Sequence, residues 1–329
     1  MSGPLPDRDW RPAAGWRVLR ARAGLLREIR RFFHERGVLE VETPVCSRAG
    51  TTDPAIDSLT TRYTGPGAAA GLPLYLHTSP EFPMKRLLAA GSGPIYQICR
   101  VFRDGEAGRF HNPEFTLLEW YRPGFDLGRL MDEVSALVRS LLDSCAAETR
   151  IGYGELFRRH LGLDPHRASP EELRQAAAAA GLERIPELDA DDRDAWLDLL
   201  MSHCIEPRLP DGLCFVHGYP ASQAALARIL PGDPPLAERF ELYLDRIELA
   251  NGFHELADAT EQRRRFESDL AQRAAAGRPG PPMDQALLAA LAAGLPDCSG
   301  VALGIDRLLM RITGSDHIDQ VLAFPLQRA

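Results

Sequence analysis

The 329-residue sequence predicts an α+β fold: an antiparallel sheet flanked by helices, with a helical insertion in the middle of the chain. Segments with the β-branched and aromatic composition of strands dominate the two ends, and segments of helical periodicity dominate the middle. A hydrophobic fraction of 45% is ordinary for a globular protein with a full core. These observations indicate one large domain built on a sheet, to which small helices are added.

The chain is predicted to begin with a loose arm, a long helix and a strand. Residues 1–15 carry proline, glycine and charge without any periodicity. Residues 16–36 place leucine, isoleucine and phenylalanine at helical spacing on one face, and Gly37 ends the pattern. Residues 38–44 have the composition of a strand, which Pro44 would end.

A glycine- and proline-rich stretch separates this strand from the next regular elements. Residues 47–73 indicate a loop that can include short strands, and residues 74–77 are strand-like. A helix follows that Pro80 can open. Composition alone makes Ser79 and Glu81 helix-capping residues, because an acid in the first turn suits the helix dipole.

Residues 94–121 organise the chain, because they have the pattern of two strands around a polar loop. The loop, residues 104–113, and its flanks bring together guanidinium, imidazole, carboxamide and carboxylate groups. These groups belong to Arg103, Glu106, Arg109, His111, Asn112 and Glu114. Arginine suits an anionic ligand, because its planar fork binds phosphate or carboxylate oxygens bidentately. A solvated hairpin tip of mixed charge is the alternative that composition leaves open.

The rest of the chain contains both helical and strand-like segments. A helix is predicted over residues 127–145, and small helices form the insertion over about 149–210. Strand patterns follow over residues 214–220 and 240–250. The last elements are helices over 260–276 and 283–293, a strand over 300–303 and a helix over 304–313.

Composition and charge limit the function classes. The net charge is −8, whereas a protein that grips a long nucleic acid usually presents a basic surface. No apolar run approaches the roughly 20 residues that a membrane span needs, and no secretory signal is visible. The six cysteines are scattered without a Cys-x-x-Cys pair, so a reducing cytoplasm is expected. The single lysine, Lys85, receives no functional interpretation.

Three motifs in the same order carry a resemblance to a known family. Residues 102–103, 111–116 and 119–121, in the hairpin, resemble motif 2 of class II aminoacyl-tRNA synthetases of the lysyl type. Residues 300–308, GVALGIDRL, resemble motif 3, and residues 248–256, ELANGFHEL, resemble the segment before it. The resemblance covers about residues 15–329 and is strongest to the short lysyl paralogues that lysylate elongation factor P.

The helix and strand near the N-terminus resemble motif 1, which builds the dimer interface in that family. We therefore expect a homodimer whose two-fold axis lies near residues 16–44. The alternative is an ordinary amphipathic helix that packs only on its own core.

The resemblance implies an ATP- and Mg²⁺-dependent adenylation, which mainly needs positioning and charge neutralisation. The residues implied to be catalytic are Arg103 and Arg307. The implied ATP ligands are Arg103, Glu106, His111, Asn112, Phe115, Glu248, Leu249, Gly304 and Arg307. The implied substrate ligands are Ser79, Pro80, Glu81, Glu119, Tyr121, Glu255 and Ala302. The implied metal ligands are Glu248 and Glu255.

Spacing along the strands adds two geometric expectations. Glu119 and Tyr121 lie two residues apart on a strand and should point to one face. If Asn251-Gly252 closes a two-residue hairpin, Glu248 and Glu255 face each other across the strands and repel. A shared Mg²⁺ would remove that repulsion. If the strand bulges instead, the two acids need not face each other.

Two positions depart from the pattern of the family. Motif 2 has Arg-x-Glu, but Gly105 stands where the acid belongs, so that Glu106 or backbone groups would take over the contact. Ala302 stands where lysyl-tRNA synthetases usually have glycine, and the paralogues that modify elongation factor P share the alanine. The added methyl group changes which amine-bearing chain fits the pocket.

Three functional hypotheses follow. The first, implied by the resemblance, is a cytoplasmic enzyme that adenylates a lysine isomer, (R)-β-lysine, and transfers it to a lysine of elongation factor P. The second is a lysyl-tRNA synthetase. Against it, only about fifteen residues precede the first helix, too few for an anticodon-binding domain, and the net charge is acidic. The third is a non-catalytic amino-acid sensor. Neither transfer RNA nor a membrane is expected as a partner.

Overall fold

The computed structural model describes residues 10–68, 70–142, 147–182, 188–278 and 280–329. Within them the helices, in chain order, are α1 (Trp16–His34), α2 (Glu81–Ala89), α3 (Leu127–Leu141), α4 (Tyr153–Leu161), α5 (Pro170–Ala179), α6 (Arg193–Leu200), α7 (Ala259–Ala275), α8 (Gln285–Gly294) and α9 (Ile305–Thr313). The strands are β1 (Leu39–Glu40), β2 (Cys46–Ser47), β3 (Thr60–Tyr63), β4 (Leu72–Leu76), β5 (Ile95–Phe102), β6 (Glu114–Pro123), β7 (Glu148–Gly152), β8 (Leu213–Pro220), β9 (Ile229–Leu230), β10 (Leu236–Leu244), β11 (Ile247–His254) and β12 (Cys298–Gly304). A π-helical turn, Met201–Ile205, follows α6.

The chain divides into two compact units, and the predicted α+β class is confirmed. The first unit comprises Met1–Pro123, Ala257–Pro296 and Ala302–Ala329, and the second comprises Gly124–Leu256 and Asp297–Val301. The predicted organisation stays a prediction: an arm over 1–15, a catalytic domain over 16–329 and an insertion over about 149–210. Residues 1–9 of that arm, 143–146 of the predicted helix and 183–187 of the insertion lie outside the described residues.

The predicted hairpin over residues 94–121 forms the centre of the first unit. β5 and β6 pair antiparallel from Ile95 opposite Tyr121 to Phe102 opposite Glu114. β1 pairs with β5 in parallel, so the antiparallel prediction fails at this pair, and the strand predicted over 38–44 shortens to two residues. β2, β4 and β3 form a separate small antiparallel sheet.

The apolar face of α1 packs on this hairpin through aromatic side chains. The Phe33 ring stacks on Tyr96 at 4.5 Å between centroids and meets Trp120 edge-on at 5.3 Å. All three side chains are buried. Aromatic pairs of this geometry add about 1 kcal/mol beyond the area they bury. The apolar face predicted over residues 16–36 therefore packs on the β5–β6 hairpin of the same unit.

In the second unit the helical insertion packs on a sheet. β8, β10 and β11 pair antiparallel, and β7 joins β8 in parallel, a second departure from the antiparallel prediction. Phe157, Leu197 and Leu200 of the insertion helices share one buried cluster with Val216 and Tyr219 of β8. The insertion helices therefore bury their apolar faces within the second unit, as a layer on the sheet.

One strand prediction is wrong. Residues 240–250 are not a single strand, because a tight turn at Asp245-Arg246 separates β10 from β11. Both turn residues have positive φ, 48° and 70°, as a two-residue type I′ hairpin requires. Residues other than glycine rarely adopt this conformation, and here neighbouring groups hold it. Asp245 Oδ1 accepts a hydrogen bond from the Gly212 N–H (2.8 Å), and Arg246 Nε donates to the Leu209 carbonyl (3.0 Å).

A buried carboxylate ties three elements of the first unit together. Asp306, in the first turn of α9, is 2% exposed. It accepts a hydrogen bond from the Thr116 N–H of β6 (2.6 Å) and another from Arg22 of α1. Arg22 also donates to the Val321 carbonyl (2.9 Å). Since Arg307 is the next residue, the same contacts set where its side chain leaves the helix.

We expect Asp306→Ala to destabilise the first unit by about 3 kcal/mol, because it leaves the Thr116 N–H and the partly buried Arg22 without their carboxylate partner. Urea unfolding followed by circular dichroism measures the loss. The matched control is Asp316→Ala, at an exposed position, which should change the free energy of unfolding by less than about half a kcal/mol. Equal effects of the two substitutions would contradict the role of Asp306.

Candidate active site

The loop of the β5–β6 hairpin begins at Arg103, and a backbone hydrogen bond fixes the main chain at this residue. The Arg103 N–H donates to the Pro113 carbonyl (2.9 Å) and closes the base of the loop. The guanidinium carbon lies 5.1 Å from the centre of the Phe115 ring, and Nη1 lies 3.5 Å from a Glu106 carboxylate oxygen. The structure thus brings together three of the residues predicted to bind ATP.

The loop backbone explains why glycine stands at position 105. Gly105 has a φ of 78°, a conformation that glycine adopts without strain and glutamate does not. The next acid along the chain, Glu106, lies beside Arg103 instead, at a separation typical of a weak ion pair. That Glu106 or backbone groups take over the contact of the acid missing from position 105 stays a prediction.

His111 and Arg307 meet although 196 residues separate them in sequence. Arg307 Nη2 donates to His111 Nε2 at 2.7 Å, and Arg307 Nε lies 3.4 Å from the Phe110 carbonyl. Partial burial of the ring, and then the charge of Arg307, lower the pKa of His111. A neutral imidazole can accept this bond, whereas an imidazolium cannot. The pair therefore holds the Arg307 side chain against the hairpin loop only while His111 is unprotonated.

Asn112 has structural partners for both ends of its carboxamide. Its Nδ2 donates to the Glu114 carbonyl (2.7 Å), and its Oδ1 accepts from the Leu326 N–H (3.2 Å). The side chain is 6% exposed. Asn112 therefore shapes the end of the loop, and its predicted contact with ATP stays a prediction.

Glu119 is the centre of a buried polar cluster in the first unit. It is 2% exposed and accepts hydrogen bonds from Ser79 Oγ and from the Tyr121 hydroxyl, both at 2.7 Å. Glu119 and Tyr121 thus lie on one face, as predicted. Ser79 Oγ in turn accepts a bond from the N–H of Glu81, the first residue of α2 (3.0 Å). The same hydroxyl thus contacts both Glu119 and the start of this helix.

The single lysine of the chain lies in the same unit, and sequence reasoning missed its role. Lys85 Nζ donates to Glu81 Oε1 at 2.6 Å, one turn along α2, and the lysine side chain is 1% exposed. A buried ammonium needs such a partner, because its desolvation is otherwise uncompensated. The signal available in the sequence was the i, i+4 spacing of the two charges.

The hairpin hypothesis for Glu248 and Glu255 is wrong. β11 runs straight through Asn251-Gly252 and pairs with β10, so that Asn251 lies opposite Glu241 and Glu248 lies opposite Tyr243. A register shift next to Leu242 places Glu248 there. The two acids thus do not face each other across a turn at Asn251-Gly252, and no cross-strand repulsion of that kind calls for a shared cation.

Glu248 instead lines a cavity of about 500 Å³ within the second unit. Its polar lining includes four carboxylates and one guanidinium: Asp198, Glu206, Glu241, Glu248 and Arg239. Glu241 accepts hydrogen bonds from the Tyr219 and Tyr243 hydroxyls, both at 2.7 Å, and from Arg239. Burial raises the pKa of Asp198 to about 6, although the open cavity leaves much of that side chain accessible.

Glu241 is a functional candidate that sequence reasoning missed. The sequence predicts only a strand at this position, and none of the three motifs includes it. Its place opposite Asn251, in the cavity that Glu248 also lines, follows from the register of β10 and β11. No group of three or more histidine, cysteine or acidic side chains arranged to hold a metal exists among the residues that the structure describes. A cation there would need oxygen ligands from a bound molecule as well.

The other predicted site residues lie at the ends or within the strands of their units. Pro80 is the N-cap residue of α2, and Gly304 is that of α9. Leu249 and Glu255 are buried, and the Glu255 N–H donates to the Cys298 carbonyl (3.0 Å). Ala302 lies half-buried in β12. None of these placements tests the predicted contacts with ligands.

Comparison with known proteins identifies relatives over nearly the whole chain. The family described as tRNA synthetases class II (D, K and N) matches residues 8–328. A protein of Salmonella dublin named "Elongation factor P--(R)-beta-lysine ligase" is 54% identical over 321 residues, which cover 97% of this chain and 98% of that protein. Proteins of the same name from Salmonella paratyphi B and Salmonella heidelberg are 53% identical with the same coverage. Among the described residues, no helix has the length and apolar character to cross a membrane.

We expect the affinity for ATP to fall at acid pH, below the ordinary pKa of histidine, because protonated His111 cannot accept from Arg307 and repels it. The sign follows from the lowered pKa: the contact is intact above the ordinary pKa of histidine and is lost as the pH falls through the lower value. Calorimetric titration of ATP from pH 5 to 8 measures the effect. His111→Gln, whose side-chain oxygen can accept at any pH, should flatten this part of the profile. An unchanged acid limb in that variant would contradict the assignment.

Proposed function

We propose that this chain, which belongs to the class II tRNA synthetases (D, K and N), is an ATP-dependent ligase that attaches (R)-β-lysine to a lysine side chain of elongation factor P. The observation that carries the proposal is coverage: relatives named for that activity match 97% of this chain and 98% of their own length at 53–54% identity. In the proposed first step, a carboxylate oxygen of the amino acid attacks the α-phosphorus of ATP and pyrophosphate leaves. The acceptor amine then attacks the acyl carbon, loses a proton and releases AMP.

Arg103 and Arg307 are the proposed cations for the phosphates. Arg103 would neutralise the α-phosphate as the new bond forms, with Phe115 offering an aromatic face to adenine. Arg307, hydrogen-bonded to neutral His111, would meet the far phosphates. Arg103 directly follows β5 and Arg307 lies in the first turn of α9, so regular elements set the backbone position of both charges.

Glu248 and Glu255 are the proposed ligands for magnesium, and Glu241, which lines the same cavity as Glu248, is a further candidate. The support is the cavity that both Glu241 and Glu248 line, in which oxygen ligands suit a hard divalent ion. Magnesium bound there with ATP would neutralise phosphate charge.

Glu119, Tyr121 and Ser79 are the proposed recognition residues for a substrate ammonium group. A buried carboxylate already ordered by two hydroxyls can receive a cation without reorganising, and this favours binding. Glu81 shares its charge with Lys85, so it would offer a weaker attraction to a second ammonium. Ala302 would set the room for the carbon chain.

The direct experiment is mass spectrometry of elongation factor P after incubation with this protein, ATP, Mg²⁺ and each lysine isomer. Addition of one lysine-isomer residue to the factor supports the proposal. Parallel charging of transfer RNA at a comparable rate would favour the lysyl-tRNA synthetase instead. Absence of pyrophosphate exchange with every isomer would favour the amino-acid sensor.

We expect Arg103→Ala to slow ATP–pyrophosphate exchange by a factor on the order of 10² or more, because the site loses a charge aimed at the developing anion. Arg100→Ala is the matched control. Arg100 lies on β5, three residues before Arg103; its side chain is half exposed and makes a surface ion pair with Glu114 at 3.6 Å. The exchange rate of the control should stay near wild type. A near-normal rate in Arg103→Ala would refute the proposed role.

We also expect a homodimer formed through α1 and β1, where Trp16 and Leu39 are 70% and 56% exposed. Large apolar side chains left open at a predicted interface gain free energy when a second copy covers them. Leu39→Asp should therefore shift light scattering at micromolar concentration from dimer to monomer. Leu230→Asp, at a comparably exposed apolar position of the second unit, should not. A monomeric wild type would contradict the dimer.

A further inference from the structure

Several hydrogen bonds connect the loop over residues 52–57 to α7. Arg273, near the end of α7, is 5% exposed. Its guanidinium donates to the Asp53 carbonyl (2.8 Å), to the Ile56 carbonyl (3.2 Å) and to Asp57 Oδ1 (2.5 Å). A buried guanidinium with several acceptors is a strong and directional anchor.

Arg278, three residues beyond α7, holds the same loop from a second side. It donates to the other carboxylate oxygen of Asp57 and to the Pro54 carbonyl. The Asp57 carboxylate is thus bound by two guanidiniums, and the hydrogen bond from Arg273 is the largest cause that lowers its pKa. Asp57 therefore stays ionised, and its side chain is fixed in direction.

Asp57, Arg273 and Arg278 together form a clamp on the loop. The backbone of Asp57 links this clamp to the hairpin loop that carries Arg103. The Asp104 N–H donates to the Asp57 carbonyl at 2.8 Å, and the two residues form an isolated antiparallel bridge. The residue before Asp104 is Arg103. The clamp thus ends one residue from the proposed α-phosphate ligand, within the first unit.

The Arg103 side chain depends on such backbone support. Its Nε is buried without a hydrogen-bond partner among the residues that the structure describes. The contact to Glu106, at 3.5 Å, is long for an ion pair, and the aromatic contact to Phe115 is at 5.1 Å. Because these side-chain contacts are weak, the position of the guanidinium is determined mainly by the position of the Arg103 backbone.

We propose that Asp57 is a positioning residue for adenylation: clamped by Arg273 and Arg278, it fixes the start of the hairpin loop and so the direction of Arg103. The inference rests on the proposed function, since it assigns Asp57 to the same reaction. Asp57 itself touches no reacting atom in this role. Small displacements of a catalytic charge lower the rate far more than they lower substrate binding.

The test compares three variants of the full-length protein. Asp57→Asn keeps the size of the side chain but loses the charge that holds both guanidiniums. Asp57→Glu keeps the charge and should restore part of the effect. Asp269→Asn is the matched control, because Asp269 fastens the other end of the same loop to α7 through Thr52 (2.9 Å) without a bond to Asp104.

We expect Asp57→Asn to lower kcat of ATP–pyrophosphate exchange on the order of tenfold, with KM for the amino acid unchanged. Asp57→Glu should lie between this variant and wild type, and Asp269→Asn should match wild type in kcat. Hydrogen–deuterium exchange of the segment around Asp104 should be faster in Asp57→Asn alone. Wild-type kcat in Asp57→Asn, or an equal loss in Asp269→Asn, would overturn the proposal.

The two readouts separate this inference from the proposed function. If the wild-type protein catalyses no exchange with any lysine isomer, the proposed function fails. Hydrogen–deuterium exchange then still decides whether Asp57 holds the loop. Unchanged protection around Asp104 in Asp57→Asn overturns the positioning role whatever the activity of the wild type.

Discussion

The buried carboxylate of Asp306 is the interaction on which the first unit depends. It accepts from a backbone N–H of β6 and from Arg22 of α1, while it belongs to the first turn of α9. A charge in this position is stable only because both partners are present, and removal of either would leave an uncompensated buried group. The same bonds fix the helix end from which Arg307 extends. Stability and the placement of a proposed catalytic charge therefore share one contact, which limits how far this part of the chain can vary.

The sequence predicted local elements better than it predicted how they are joined. The hairpin over residues 94–121 has its strand pattern, its polar loop and its pairing within 28 consecutive residues, so local reasoning was sufficient. The β10–β11 turn was misplaced because Asn-Gly is the strongest short-range hairpin signal, yet it lies inside β11. The real turn uses Asp245 and Arg246, whose positive φ values are held by Gly212 and Leu209, more than thirty residues earlier. Nothing in the two residues themselves reveals those partners.

In the candidate site, too, local geometry could be predicted from the sequence, whereas contacts between distant residues could not. Glu119 and Tyr121 could be placed on one face from strand parity alone, and the structure joins them through a hydrogen bond. Lys85 and Glu241 were missed for different reasons. The single lysine looked like a consequence of composition, until its burial against Glu81 gave it a partner. The position of Glu241 depends on the strand register, which the misplaced turn had concealed.

Several of the acidic side chains of this protein lie together around one cavity of the second unit. Part of the net charge of −8 belongs to the four carboxylates around the cavity of the second unit, where Arg239 is the one cation in the lining that the structure describes. Carboxylates brought together in this way raise one another's proton affinity, and the pKa of Asp198, near 6, follows mainly from burial and in part from Glu241. Such a field attracts a divalent cation and repels an extended polyanion. Binding of RNA gains most of its affinity from phosphate contacts, so a surface of this kind disfavours it. A protein acceptor that presents one amine makes no such electrostatic demand, and this difference supports the proposed transfer to a protein.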